Sequence, residues 1–117
     1  MSKEVLISPN AFKHSLSSIE VAKSIKSALS SLDLNLKYEL TPIADGGDGT
    51  IDILNFNFPS SKFIKAKVHD PLMREIESSW LLWDESIAIV ELAKASGIAL
   101  LKQDELNPFW ANTYGTG

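Results

Sequence analysis

Between residues 3 and 40 the chain changes hydrophobic period twice, from a continuous apolar run to helical spacing and then to strict alternation. That order most restricts what it can fold into. Val5-Leu6-Ile7 is continuous and rich in β-branched residues, as in a strand buried on both faces of a parallel sheet. A polar loop through Pro9, Asn10 and Lys13 follows. Ser17-Ser18-Ile19-Glu20 then has the capping-box form, in which hydroxyl and carboxylate each satisfy an orphan amide, so a helix starts there. Ile19, Ala22, Ile25, Leu29 and Leu32 supply an apolar stripe, with Lys23, Lys26, Ser27 and Ser30 opposite, and Leu16 with Val21 fits a hydrophobic staple. Leu36, Tyr38 and Leu40 alternate with Lys37 and Glu39 as a second strand, which Pro42 ends.

Past Pro42 lies the run Asp45-Gly46-Gly47-Asp48-Gly49-Thr50, and Ile51, Ile53, Leu54 and Phe56 predict a short helix opening near Asp48, whose carboxylate would favour a helix N-terminus. The resulting β-α-β-α order argues for an α/β fold with a flavodoxin- or Rossmann-like parallel sheet at the N-terminus. Further on, Ile64, Ala66 and Val68, then Ile76, Ser78, Trp80 and Leu82, alternate on either side of Asp70-Pro71-Leu72-Met73-Arg74, predicting two antiparallel strands joined by a turn. Trp80, Trp83 and Phe63 are expected in the core. Ile87 to Val90 is expected as another buried strand, and Ala93 to Gly97 as a close-packed segment or helix stop. The change of pattern near Phe58-Pro59-Ser60-Ser61 places residues 1–58 in the parallel domain and 59–117 at the start of a second, mixed α/β lobe. The aromatic, turn-rich ending at Asn112 to Gly117 has no closing helix or strand, so the expected object is a truncated part of a longer chain.

With 44% hydrophobic residues in 117, there is material for one compact core and not for two complete domains. Net charge is −4 and the eleven Lys and Arg are scattered, which argues against nucleic acid as a partner. Cysteine is absent, removing disulfides, thiolate metal sites and a Cys nucleophile together. The first apolar run is too brief for a signal-peptide core or a membrane span, so a cytoplasmic protein without a membrane partner is expected.

Two segments stand where ligands of open α/β sheets bind, at the carboxyl ends of the strands. In the loop after the first strand Lys13 is a point charge able to hold a carboxylate or a transferring phosphoryl group. It serves equally well as a solvated loop lysine, and its neighbour His14 has no tuning partner in the sequence. Asp45 and Asp48 are hard oxygen ligands that suit Mg²⁺, on a backbone whose glycines permit close approach. A turn leading into a helix cap is the plainer reading of the same run. The spacing fits neither an EF-hand nor a Gly-Lys-Ser/Thr phosphate loop. Glu91, ending a strand, suits a strand-to-helix junction better than a catalytic post, and Thr113 to Gly117 presents hydroxyls and a pliant backbone able to cradle an anion.

Taken in order, these segments resemble the ATP-dependent glycerate kinase family. Ser8-Pro9-Asn10-Ala11-Phe12-Lys13-His14-Ser15-Leu16-Ser17 is similar to its A-P-D-S-F-K-x-S-L-S opening, and Pro42 to Thr50 to its P-x-A-D-G-G-E-G-T. Asp70-Pro71-Leu72, Glu91 to Gly97, and Asn107-Pro108 through Gly117 resemble its D-P-L, E-M-A-x-A-S-G and N-P-x-x-x-T-Y-G-T-G. The chain departs from the family at Asn10 and Ala11, which stand for Asp and Ser, and at Asp48, which stands for Glu. The resemblance implies an incomplete two-domain kinase that phosphorylates D-glycerate with ATP and Mg²⁺ to 2-phosphoglycerate, inactive as a fragment. It carries catalytic roles to Lys13, Asp45 and Asp48, metal binding to Asp45 and Asp48, and substrate contacts to Ser15, Gly46, Gly47, Thr113, Gly115 and Thr116. A non-catalytic α/β binding or remnant module derived from such a kinase is the alternative.

Overall fold

A computed structural model describes residues 3–13, 15–32 and 34–117; His14 lies outside them. The fold is mixed α/β, in two compact units, one ending at Asp45 and the other running Gly46–Gly117.

In the first unit β1 (Lys3–Ile7) and β2 (Leu36–Leu40) pair in parallel, joined by α1 (Ser18–Ser30). The helix begins where the capping box puts it: Ser17 is the N-cap, its hydroxyl accepts from the Glu20 amide at 3.3 Å, and Glu20 accepts from the Ser17 amide at 2.8 Å. The buried face of α1 is narrower than its periodicity predicts. Ser18, Val21 and Ala22 are buried, whereas Ile25 and Leu32 are 39% and 59% exposed. β1 also departs from expectation: Ile7 is buried but Leu6 is 63% exposed, so the strand is covered on one face and not both. β2 keeps its alternation, with Lys37 and Glu39 outward.

The second unit is α2 (Thr50–Asn57), an antiparallel sheet in the order β3 (Lys62–His69), β4 (Glu75–Trp83), β5 (Ile87–Ile89), the short α3 (Ala93–Ser96), and 3-10 turns up to Thr116. Asp70 shapes the β3–β4 connection: its carboxylate accepts from the amides of Leu72 (2.8 Å) and Arg74 (2.9 Å) and from Arg74 Nε (2.5 Å). Arg74 reaches on to Glu105 Oε1 at 2.7 Å. The expected core is corrected in three places. Among the described residues β5 pairs with β4 alone and is an edge strand, and Ile87 in it and Val90 just past it are exposed. Phe63 is 40% exposed. The most enclosed residue of the sheet is Leu81, at 1%, on the face opposite Trp80 and Leu82, so both faces are covered at that position. Trp83 does pack, its ring 4.7 Å from that of Phe58.

Candidate functional site

In the first unit the segments leaving β1 and β2 run side by side. The Thr41 amide donates to Ile7 O (2.9 Å) and the Ile43 amide to Pro9 O (3.0 Å), extending the parallel pairing past the strand ends. Ser18, fully buried, ties both segments to the start of α1, its hydroxyl donating to Ile43 O at 3.1 Å and lying 3.4 Å from Asn10 Oδ1. Asn10 Oδ1 also accepts from the Ala11 amide at 2.7 Å, so the acceptor that an aspartate would offer is retained after the charge is gone. Phe12 and Leu16 are joined by reciprocal backbone bonds of 2.9 and 3.1 Å, and Lys13 and Ser15 are exposed. Asp45 ends the neighbouring segment, also exposed. Lys13, Ser15 and Asp45 thus sit on segments that leave one edge of the β1–β2 pair.

Gly46, Gly47 and Asp48 open the second unit. Gly46 and Gly49 have φ of +88° and +86°, a conformation that an L side chain seldom adopts, which accounts for glycine at both. Asp48 is exposed and is not the helix cap. The N-cap is Gly49, which has no side chain to offer, and the carboxylate that satisfies α2 comes from Glu91. Glu91, 5% exposed, accepts from the Gly49 amide through Oε1 and from the Ile51 amide through Oε2, each at 2.9 Å. Lys94 Nζ bonds Asp52 Oδ2 at 2.9 Å. Burial pushes the Lys94 ammonium down, but Asp52, with the nearby charges of Glu91 and Asp48, more than restores it, leaving its pKa above the usual lysine range. Among the described residues no three His, Cys, Asp or Glu side chains gather as a metal-holding group.

Thr113, Gly115 and Thr116 lie in the same unit against the end of β3. A Cβ on Gly115 would overlap the His69 carbonyl oxygen, so the backbone there passes hard against the strand. The Tyr114 ring meets His69 edge-on at 5.9 Å, Thr116 Oγ1 is 2.5 Å from Ser96 Oγ, and the Asn112 amide donates to Pro71 O at 3.0 Å. Lys67, His69, Thr113 and Tyr114 border an open concavity. Lys13, Ser15 and Asp45 therefore fall in one unit, and Gly46, Gly47, Asp48, Thr113, Gly115 and Thr116 in the other. Sequence reasoning gives Ser18 no role of its own and reads Glu91 as a strand-to-helix junction in preference to a catalytic carboxylate, not as the cap of α2. Ser18 was legible only as the residue after an N-cap, and the partners of Glu91 are 40 and 42 positions away.

Comparison with known proteins bears on the family. Residues 5–117 match the model of the glycerate kinase family. The chain is 35% identical to a glycerate kinase of Halalkalibacterium halodurans over 97% of its own length, and 31% identical to the glycerate 2-kinase of Escherichia coli over 97%. In each case it spans 30% of the relative's length. A solved structure described as a putative glycerate kinase 2 from Salmonella typhimurium LT2 superposes with a TM-score of 0.78 at 26% identity, over 99% of this chain and 31% of that one. With its capping box, its acidic glycine run and its Thr-Tyr-Gly-Thr-Gly segment all inside the matched span, the chain belongs to the glycerate kinase family, a family of kinases.

Proposed function

We propose that the protein to which this sequence belongs is a cytoplasmic kinase that phosphorylates D-glycerate to 2-phosphoglycerate at the expense of ATP. In this reading a flavodoxin- or Rossmann-like lobe begins with residues 1–58, and residues 59–117 open a second α/β lobe. The observation that carries the proposal is the parallel pairing that continues past β1 and β2 as far as Pro9 and Ile43, from which the chain runs on to the Lys13 turn and to Asp45, at the edge where ligands of such sheets bind. Lys13 holds the glycerate carboxylate or the transferred phosphoryl group as a compact positive charge, and Ser15 offers a hydroxyl beside it. Asp45 and Asp48 orient the metal or take the proton of the acceptor hydroxyl. Gly46 and Gly47 let the backbone approach substrate closely, and Thr113, Gly115 and Thr116 line the path of the anion.

Bound with the nucleotide, Mg²⁺ neutralises charge on the phosphates. An exposed Asp48 fits the usual Mg²⁺ habit of one or two carboxylates plus substrate phosphates and water. Positioning and charge neutralisation then provide the rate enhancement. No helix among the described residues is long and apolar enough to cross a membrane.

Expressed from its whole reading frame with Mg²⁺-ATP and D-glycerate, the protein should yield 2-phosphoglycerate by phosphorus NMR. Lys13→Ala and Asp45→Ala should each cost on the order of a hundredfold or more in kcat/KM, as for loss of an electrostatic contact made in the transition state. Full turnover in both variants would remove those roles.

A further inference from the structure

Two of the amide donors at the start of α2 are satisfied by a side chain from elsewhere in the same unit. Helix N-termini in phosphate-binding folds leave these donors open, and the partial positive charge there attracts the ligand. Here both oxygens of a buried carboxylate already occupy them: Glu91 Oε1 on Gly49 N–H and Oε2 on Ile51 N–H, both 2.9 Å, with Glu91 5% exposed. The glycine N-cap gives no competing side chain. Beyond the cap, Lys94 bonds Asp52 at 2.9 Å, so the only ammonium bonded to the helix's first turn among the described residues is also engaged. A phosphate approaching these amides would meet a full negative charge in its place. Asp48, beside the occupied amides, is exposed.

We infer that Glu91 is a positioning residue that serves as an internal anion: it fixes the run Gly46 to Gly49 and bars phosphate from α2, so that the run presents the Asp48 carboxylate to a cation. The clause on Asp48 rests on the kinase reading; the role of Glu91 does not. Nucleotide phosphates accordingly bind away from the α2 amides.

The test uses the isotope-labelled chain with Glu91→Gln, which preserves volume but can accept at only one of its two end atoms, and Asp48→Asn. In Glu91→Gln, hydrogen exchange at Gly49 or Ile51 should quicken by about tenfold or more, the scale of one lost charge-assisted bond. Inorganic phosphate should leave these two amide resonances unmoved in the wild type and shift them saturably in Glu91→Gln. Mn²⁺ should broaden resonances around position 48 in the wild type, and Asp48→Asn should keep wild-type exchange protection and lose that broadening. Phosphate shifts at Gly49 and Ile51 in the wild type, a measurement that needs no variant, would overturn the inference. Wild-type exchange rates or an absent phosphate response in Glu91→Gln would do the same. Absence of Mn²⁺ broadening in the wild type overturns instead the metal role of Asp48, and with it that clause alone.

Discussion

Replacing Asp70 with Asn should destabilise the second unit out of proportion to so small a change. The Asp70 side chain is 2% exposed, and one of its oxygens serves the Leu72 and Arg74 amides while the other takes Arg74 Nε at 2.5 Å. Asparagine can keep the first oxygen but turns an NH₂ toward the guanidinium, donor against donor. Loss of one hydrogen bond between charged groups, with a buried polar atom left unsatisfied, costs about 2–3 kcal/mol. For a unit of this size that is a fall in Tm of roughly 10–20 °C. The pH dependence follows from the sign of the shift. Burial, the largest influence, pushes the Asp70 carboxyl up, but the Arg74 amide and guanidinium and the Leu72 amide outweigh it, so its folded pKa lies below the ordinary value. Stabilisation from a depressed carboxyl is complete above the unfolded pKa of about 3.9 and is lost as pH falls through the folded value. Circular-dichroism melts of wild type and Asp70→Asn should therefore stay separated near neutrality and converge below about pH 4. A Tm difference under a few degrees at pH 7, or a gap that persists undiminished at pH 2, would refute the reasoning.

Gly115→Ala must displace backbone at His69, where the added Cβ would overlap the carbonyl, and should cost about 1–3 kcal/mol by chemical denaturation. Gly117→Ala, whose added Cβ would stand an ordinary 3.8 Å from the Tyr114 carbonyl oxygen, should leave the denaturation midpoint unchanged. Ser17→Ala removes the α1 cap and should cost about 1 kcal/mol in the same assay. Glu77→Gln breaks an ion pair with Lys65 whose side chains are 65% and 76% exposed, and should have no measurable effect on Tm.

Local chemistry made much of this fold legible. The Ser17–Glu20 box fixed the start of α1 because both partners lie within one turn of chain, and the alternation of residues 62–69 and 75–83 gave the hairpin because strand period depends only on neighbours. What escaped is set by distant chain. Leu6, Ile25 and Ile87 have the composition of core residues, yet their burial depends on whether another element arrives to cover them. Proximity in sequence points to Asp48 for the α2 cap, whereas the carboxylate in place is that of Glu91, from the segment between β5 and α3. For the candidate site, the residue types in the Lys13 turn and in the acidic glycine run were readable. The Ser18 hydroxyl, which joins the two segments behind them, was hidden in the middle of a capping motif.

The claim on which the functional account turns is that Lys13 and the Asp45 segment grip one small anionic sugar acid. An amide-resolved NMR titration of the chain with D-glycerate tests it most directly. The account predicts saturable shifts concentrated at Lys13, Ser15 and residues 43–47, abolished by Lys13→Ala. Shifts confined to other segments, or a spectrum that glycerate leaves unchanged, would contradict it.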